Sequence, residues 1–490
     1  MSKATVLKQE LFVISEKTQL SGIQQDQIQP VAGTTFLRLP QDLQYEILSL
    51  SCFDCTVSVP AAFQKEFKAM VLASTGLEAD LICHKMIAQR LTLKWIRPAK
   101  NASADGEETT MRFEVLDETI NLERLQGLNT AAQVLTAQNE YGASLHQLPP
   151  EYKALVFEFR DLLSNLKNKI DVLETETPKD NLHEAQEYRK AIAQTIAQYL
   201  EDLHIPRRYA DAAKYLQGLS PEQLKLATDF ARAQVGPLIY GAPFANRAYF
   251  KPRGYAGDYE MMNHLYRNEL VGKTLFDQCM HKYFVEESAG AAVKNRGYYL
   301  FEKISDLFDR TPVDQPLKIL SVASGPAMEQ QIFLKQRKDD YGRPAEFTCL
   351  DSDVQSLKHA QRQLLSLEKA VTSGFEFKFN NMAIRNVIAR GLPEQGYDLI
   401  YSAGLFDYFT DQVARAAATK MITSVKPGGR VIIGNFSKDT LSASFLELVL
   451  DWHLIYRSES DLLRIFHGLG SKIWVEQEPL GINLFVVIEK

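Results

Sequence analysis

LKILSVASGPAME, residues 317–329, is an apolar run with strand character that breaks at a turn of small residues and runs on into a helix. Gly325 permits a backbone conformation closed to other residues, and the alanines beside it keep the wall low enough for a ligand to lie against it. From here onward strand-like and helix-like segments alternate. They read LKILSVA, a helix from about Met328, EFTCL, a helix over 354–368, FEFKF, YDLIYSA, a helix over about 411–425, GRVIIGN, a helix over about 442–450, KIWVEQEP and INLFVVIEK. Alternation at this spacing predicts a mostly parallel sheet with helices on both faces. Little more than Leu480 and Gly481 joins the last two strands, too short for a parallel crossover, so the sheet should end in an antiparallel pair.

The rest of the chain is bounded by its composition. With 490 residues, 45% hydrophobic and 24% charged, it is too long for one ordinary core and too apolar to be disordered, so two or three domains are expected. A net charge of -6 with no long Lys/Arg block argues against nucleic acid as a partner. The opening MSKATVLKQELFVISEK lacks the basic, apolar and cleavage segments of a leader, and no stretch nears about 18 uninterrupted apolar residues. A cytoplasmic protein without a transmembrane segment is expected. The five cysteines, sparse and odd in number, suit a reduced compartment. Cys52 and Cys55 form a CxxC with Cys83 and His84 downstream. There is no second CxxC, and SLSCFDCTVSVP alternates like a strand, so buried cysteines and no metal are expected.

Upstream of the α/β pattern, residues 1–120 read as a β-rich accessory domain, with strands in TFLRLP, LQYEILSLSCFDCTVSVP, RLTLKWIRP and TTMRFEVLD and a polar loop NASADGEE. A PilZ-like barrel is one form it could take, but neither RxxxR nor DxSxxG is present, which favours a scaffold or interaction module. Residues 121–235 read as a helical linker or lid, with Leu155, Phe159, Leu162, Leu166, Ile170 and Leu173 near one face, available to packing within the chain or to a homodimer. Residues 236–316 read as a helical substrate cap. Within it, FKPRGYAGDYEMMNHLY (250–266) makes an irregular loop crowded with Arg253, Tyr255, Asp258, Tyr259 and Glu260. Asp258 suits a helix N-cap, but a cap does not require Arg253 and the tyrosines, so a functional loop is expected. Arg296 falls on the polar side of the next helix, solvated by default or turned into a cleft.

The series Ser321, Ala323, Gly325 and Ala327 stands where the class I S-adenosylmethionine (SAM)-dependent methyltransferases have an acidic residue and three alternate glycines, and residues 317–490 resemble that family. The resemblance implies a seven-stranded Rossmann-like domain that binds SAM through Ser321, Ala323, Ser324 and Gly325. It gives Asp351 the ribose, with Asp353 as second choice and better suited to capping the next helix. Asn380, Asn381 and Met382 fall at the adenine position, and Ser402, Ala403 and Gly404, followed by Leu405, Phe406, Asp407 and Tyr408, at the methyl-transfer pocket. The glycines of KPGGR are explained by turn geometry. GYAGDYEMMN, VKNR, SGPAME and DWHLIYRSESDL together, over about 236–490, are similar to a bacterial methyltransferase group of extracellular-factor, or 3-hydroxypalmitic acid methyl ester, biosynthesis.

That resemblance implies O-methylation of a hydroxy-fatty acid carboxylate or related acyl derivative. Such a carboxylate, with a pKa of about 4.3, is ionised at neutral pH and needs no general base. It needs a cation or hydroxyl to orient it, for which Arg253, Tyr255, Arg296, Tyr408, Tyr456 and Arg457 are candidates, and apolar walls such as Met261, Met262, Phe406 and Trp452. Asp258 or Glu329 would take the ammonium of SAM. Two other readings stand beside this one. The first is a small-molecule or protein N- or O-methyltransferase using Asp407 or Tyr408 to deprotonate its acceptor, and the second is a non-catalytic SAM sensor.

Overall fold

The computed structural model describes residues 35–39, 43–60, 63, 65, 67, 69, 71, 75–84, 86–96, 108–116, 119–337, 343–368 and 374–490. The sequence examined for a leader, and residues 101–107 of the polar loop, lie outside them. The chain forms two compact units, Met1–Leu145 and His146–Lys490.

In the first unit β1 (Thr35–Leu39), β2 (Leu43–Leu50), β3 (Asp54–Pro60), β4 (Leu77–Cys83), β5 (Met86–Ile96) and β6 (Glu108–Val115) close an antiparallel barrel in the order β1-β2-β3-β6-β5-β4. Alternation sends Leu37, Val57, Leu81 and Phe113 into its core. β4, LEADLIC, was not expected as a strand, because Glu78 and Asp80 interrupt its apolar run; it turns into β5 through His84 at φ 48°. Cys55 and Cys83 belong to this core, and burial pushes the Cys55 thiol up to about 12. Among the described residues no three His, Cys, Asp or Glu side chains gather as a metal set. Helix α1 (Leu122–Ser144) sends Leu125 into the barrel core, so this unit extends past the expected boundary at residue 120.

The second unit joins helices and sheet in one body. Its helices are α2 (Pro150–Thr175), α3 (Leu182–Asp202), α4 (Ile205–Ala212), α5 (Pro221–Ile239), α6 (Pro243–Phe250), α7 (Tyr259–Arg267), α8 (Leu275–Glu286) and α9 (Ser288–Arg310). α2 buries Tyr152, Val156, Phe159, Leu163 and Ile170, a face rotated from the one expected. The cause is a pair of anchors: the Tyr152 hydroxyl donates to Ala227 O at 2.9 Å, and Phe159 packs edgewise on Tyr209 and Phe445. Among the described residues no helix is long and apolar enough to cross a membrane.

The sheet and its helices run β7 (Leu317–Val322), α10 (Met328–Gln336), β8 (Ala345–Asp351), α11 (Val354–Glu368), β9 (Phe375–Asn381), α12 (Ile384–Arg390), β10 (Tyr397–Ser402), α13 (Asp411–Ser424), β11 (Val425–Phe436), α14 (Ala443–Leu448), α15 (Glu459–Phe466), β12 (Lys472–Gln477) and β13 (Asn483–Glu489). The seven strands stand in the order β12-β13-β11-β10-β7-β8-β9. β13 enters between β11 and β12 and pairs antiparallel with both, while the other pairs are parallel. The KPGGR segment lies inside β11, where the pairing with β10 slips and Gly428 takes φ 74°. Side chains alternate between two cores, Leu320 and Val322 in one, Leu317 and Ile319 in the other, as expected of strands covered on both faces. The chain builds outward from β7 to β9, then returns to add β10 and β11 on the other side. A crevice therefore opens at the C-terminal ends of β7 and β10.

Candidate functional site

The crevice is an open cleft walled by the turn after β7, the end of β8, the turn after β10 and the loop before α7. After Val322 the chain passes through Ala323, Gly325 and Ala327 at φ 55°, 55° and 53°, alternate left-handed positions that explain the small residues at that spacing. The two alanines are strained there by roughly 1–2 kcal/mol each, and glycine is not. Asp351 closes this turn onto β8. Its Oδ2 accepts the Gly325 N–H at 3.0 Å, its Oδ1 accepts the Asp353 N–H at 2.9 Å, and Ser356 Oγ lies 3.0 Å from Gly325 O. Burial raises the pKa of this carboxylate, and those N–H groups work against the rise. Two oxygens offer about four acceptor positions, so Asp351 retains capacity for a ligand hydroxyl.

Ala323, Ser324, Gly325, Glu329, Asp351, Ala403, Gly404, Tyr255, Tyr408 and Arg296 reach the cleft wall. Other expected residues are spent elsewhere. Asp258 is 1% exposed, caps α7 through the N–H groups of Glu260 and Met261, and holds Arg247 Nε at 2.7 Å. These bonds tie Asp258 to α6 and α7, and it is not among the residues of the cleft wall. Arg253 and Asp353 hold each other: Nε reaches Asp353 Oδ2 at 3.0 Å, the Tyr255 hydroxyl donates to the same oxygen at 3.2 Å, and Asp353 caps α11 through the Gln355 N–H, the role for which its position suited it. This cluster stitches the 250–258 loop to the end of β8. Asn381 Nδ2 donates to the carbonyls of Asp351 and Ser352 at 3.0 Å, and the Met382 N–H to Asp351 O, so both brace the loop after β8. Ser321 and Ser402 are buried within their strands, away from the wall. Arg457, 2% exposed, is consumed by Asn435 Oδ1, the carbonyls of Phe406 and Phe409, and Asp411. Met261 and Phe406 are core residues.

Glu329 sits at the first turn of α10, 5% exposed, with the Tyr401 hydroxyl donating to Oε1 at 2.6 Å. Burial raises its pKa, while Tyr401 and the charge of Arg296 oppose the rise.

A second, largely apolar cavity adjoins the first. Gly257, Met262, Arg296, Gly404 and Tyr408 belong to both walls. Arg296 is 6% exposed rather than solvated, because α9 turns its 289, 290, 293 and 296 positions toward this pocket. Its Nη2 lies 3.7 Å from Met262 Sδ, and among the described residues it makes no salt bridge. Bare glycines make room at the junction. A Cβ on Gly404 would stand 2.7 Å from Arg296 Nη1, and one on Gly257, at φ 73°, would stand 3.1 Å from the Tyr408 hydroxyl. That hydroxyl is fixed by Trp452 Nε1 at 2.9 Å and donates to Ala256 O at 3.3 Å. Asp407 also lines the pocket, 2% exposed, with Oδ1 accepting the Phe436 N–H at 2.6 Å; burial pushes its pKa up to about 6. Sequence reasoning missed Phe284, Glu287, Phe445 and Leu450 in this wall. The spacing along α9 was the one available signal.

No family model matches the chain, and no curated protein matches it. Similar solved structures include the DszA carbon methyltransferase, at 11% identity over 74% of this chain and 93% of its own, with a TM-score of 0.39. A possible exported protein from Bordetella parapertussis is 14% identical over 62% of this chain and 96% of its own, TM-score 0.38. Magnesium protoporphyrin IX methyltransferase from Synechocystis, crystallised with SAM, is 10% identical over 41% and 84%, TM-score 0.30.

Proposed function

We propose that the chain is a SAM-dependent methyltransferase whose acceptor is the carboxylate of an apolar acid, a hydroxy-fatty acid being the acceptor that the resemblance implies. The observation that carries this reading is the meeting of a polar cleft and an apolar pocket at Arg296, a buried guanidinium with no carboxylate bound to it among the described residues. A buried cation without a salt bridge is poorly compensated, even with the charges of Glu329 and Asp407 acting on it from a distance, and a carboxylate ligand bound directly to it improves that compensation.

The cleft fits SAM. Gly325 leaves open space on its ligand side, Asp351 keeps acceptor capacity for ribose hydroxyls, and Glu329 supplies negative charge for the ammonium. When bound, SAM supplies an electrophilic methyl group. Arg296 orients the acceptor carboxylate at the junction, Tyr408 and Trp452 form its gate, and the apolar wall excludes water. Holding the two reactants in line supplies about 7–11 kcal/mol, and an ionised carboxylate needs no deprotonation.

The test is calorimetry with SAM, followed by mass spectrometry of straight-chain carboxylic acids incubated with the protein and SAM. A mass gain of one methylene on the acid, as an ester, is the expected result. Absence of SAM binding would sink the reading.

Asp407 favours one alternative, an amine acceptor deprotonated by a carboxylate whose pKa is raised to about 6. Turnover would then fall as pH drops through about 6, whereas carboxylate methylation stays level until the acceptor itself protonates.

A further inference from the structure

The apolar pocket is polar at one end. Ala289, Gly290, Val293 and Arg296 line it from α9, and Glu287, the N-cap of that helix, lines it too. Nine residues at 1.5 Å each separate Glu287 from Arg296, so the pocket runs about 13 Å along the helix axis. Glu287 is 8% exposed; its Oε1 accepts from Ser288 Oγ at 3.0 Å and from Ser442 Oγ, and its Oε2 accepts the Ala289 N–H at 3.0 Å. Around it gather polar atoms that are buried and without hydrogen-bond partners: Tyr283 Oη, Tyr209 Oη and Glu201 Oε2. Tyr283 is 1% exposed and lines the pocket. Buried polar groups are ordinarily paired, and an unpaired phenol beside a buried carboxylate, both in the wall of the cavity, points to a ligand group.

We infer that the acceptor is an elongated apolar molecule with a hydroxyl at its far end, received between Glu287 and Tyr283 while its methylated group lies at Arg296. A hydroxyl both donates and accepts, so one group satisfies the Glu287 carboxylate and the Tyr283 phenol together. An ammonium offers nothing to the phenol's proton, and a second carboxylate is repelled by Glu287. The same repulsion orients the molecule, since its acidic end is excluded from the Glu287 end and drawn to Arg296. A hydroxyl adjacent to the acidic group lies at the Arg296 end and does not reach Glu287. This inference rests on the methyltransferase reading for the group at Arg296.

The experiment compares straight-chain acids of matched length, with and without a terminal hydroxyl, on the full chain. Equilibrium binding is measured in the presence of S-adenosylhomocysteine, and esterification with SAM. The wild type is expected to favour the hydroxylated acid about tenfold in binding, the worth of one hydrogen bond to a charged group. Tyr283→Phe and Glu287→Gln should each cut that preference to less than about threefold, with the melting temperature recorded as a control on folding. Equal binding of both acids to the wild type overturns the inference, as does a preference that survives both substitutions. Hydroxyl-dependent binding without ester formation supports the pocket assignment and sinks only the methylation reading. Ester formation without hydroxyl preference does the reverse, and failure of every acid to bind overturns both.

Discussion

The cleft and the pocket share Gly257, Met262, Arg296, Gly404 and Tyr408 yet are built by opposite means. The cleft is made where parallel strands end, from a left-handed turn, a carboxylate that ties it down and the first turn of a helix, all set by sheet topology. The pocket is made of side chains from α6, α7, α8, α9, α14 and the loops between, with the sheet contributing little beyond Phe436. One region follows from the path of the backbone and would suit many nucleoside-like ligands. The other depends on which side chains the helices carry, and that is where acceptor choice resides.

The sharpest break of this division is Arg296→Leu. Truncating a buried charge that an anionic ligand pairs with costs about 2–5 kcal/mol, so turnover should fall by about 30-fold to 4,000-fold. SAM affinity, read by calorimetry, should change less than about threefold. If the two fall together, the guanidinium serves the cofactor and the boundary between the regions moves.

Asp407 probes the pocket side through pH. Burial raises its pKa from the ordinary aspartate value of 3.8 to about 6. Between those values the folded chain retains a proton that the unfolded chain has lost, so this residue's contribution to stability declines as pH rises through that window. Asp407→Asn keeps an acceptor for the Phe436 N–H and does not titrate. Urea denaturation should show the variant gaining on the wild type by up to about 3 kcal/mol between pH 4 and pH 7. A constant gap across that range would show that Asp407 is not desolvated.

On the cleft side, Asp351→Ala removes the acceptor of the Gly325 N–H and of any ribose hydroxyl. SAM affinity should weaken about 10–100-fold, the scale of hydrogen bonds to a charged group. Acids binding in the pocket should be affected far less.

The same contrast explains what could be read in advance. β7, β8, β10 and the closing hairpin announce themselves by apolar runs and connection lengths, so the sheet and the place of its crevice were legible in the sequence. The turn was legible at Gly325, because glycine alone takes a left-handed path without strain, whereas the left-handed conformations of Ala323 and Ala327 carry no signal in the residue type. Arg253, Asp353 and Asp258 looked like site residues because polar crowding marks a functional loop and a stitched loop alike. The cap at Asp353 is local and legible, but the pairing of Arg253 with Asp353 and of Asp258 with Arg247 is revealed only by tertiary contact. Arg296 is legible only as a candidate, solvated or turned into a cleft, and Glu287 carries no signal, since helix periodicity does not tell which neighbour covers a polar face.

The smallest expected effect is the most discriminating for the turn itself. Ala323 holds φ 55° with its side chain half-buried, so Ala323→Gly removes left-handed strain and little packing. Against that gain stands the larger backbone entropy of glycine in the unfolded chain, about 0.4–1 kcal/mol. The balance should be a stabilisation of less than about 1 kcal/mol in denaturant melts, because left-handed alanine costs roughly 1–2 kcal/mol. Removing the methyl also lowers the cleft wall, so SAM affinity should hold or rise slightly, while acid binding in the pocket stays unchanged. A loss of SAM affinity would mean that the Ala323 methyl touches the ligand. The wall of the cleft would then be shaped by side chains, as the pocket is, and the contrast between the two regions would fail at its nearest point.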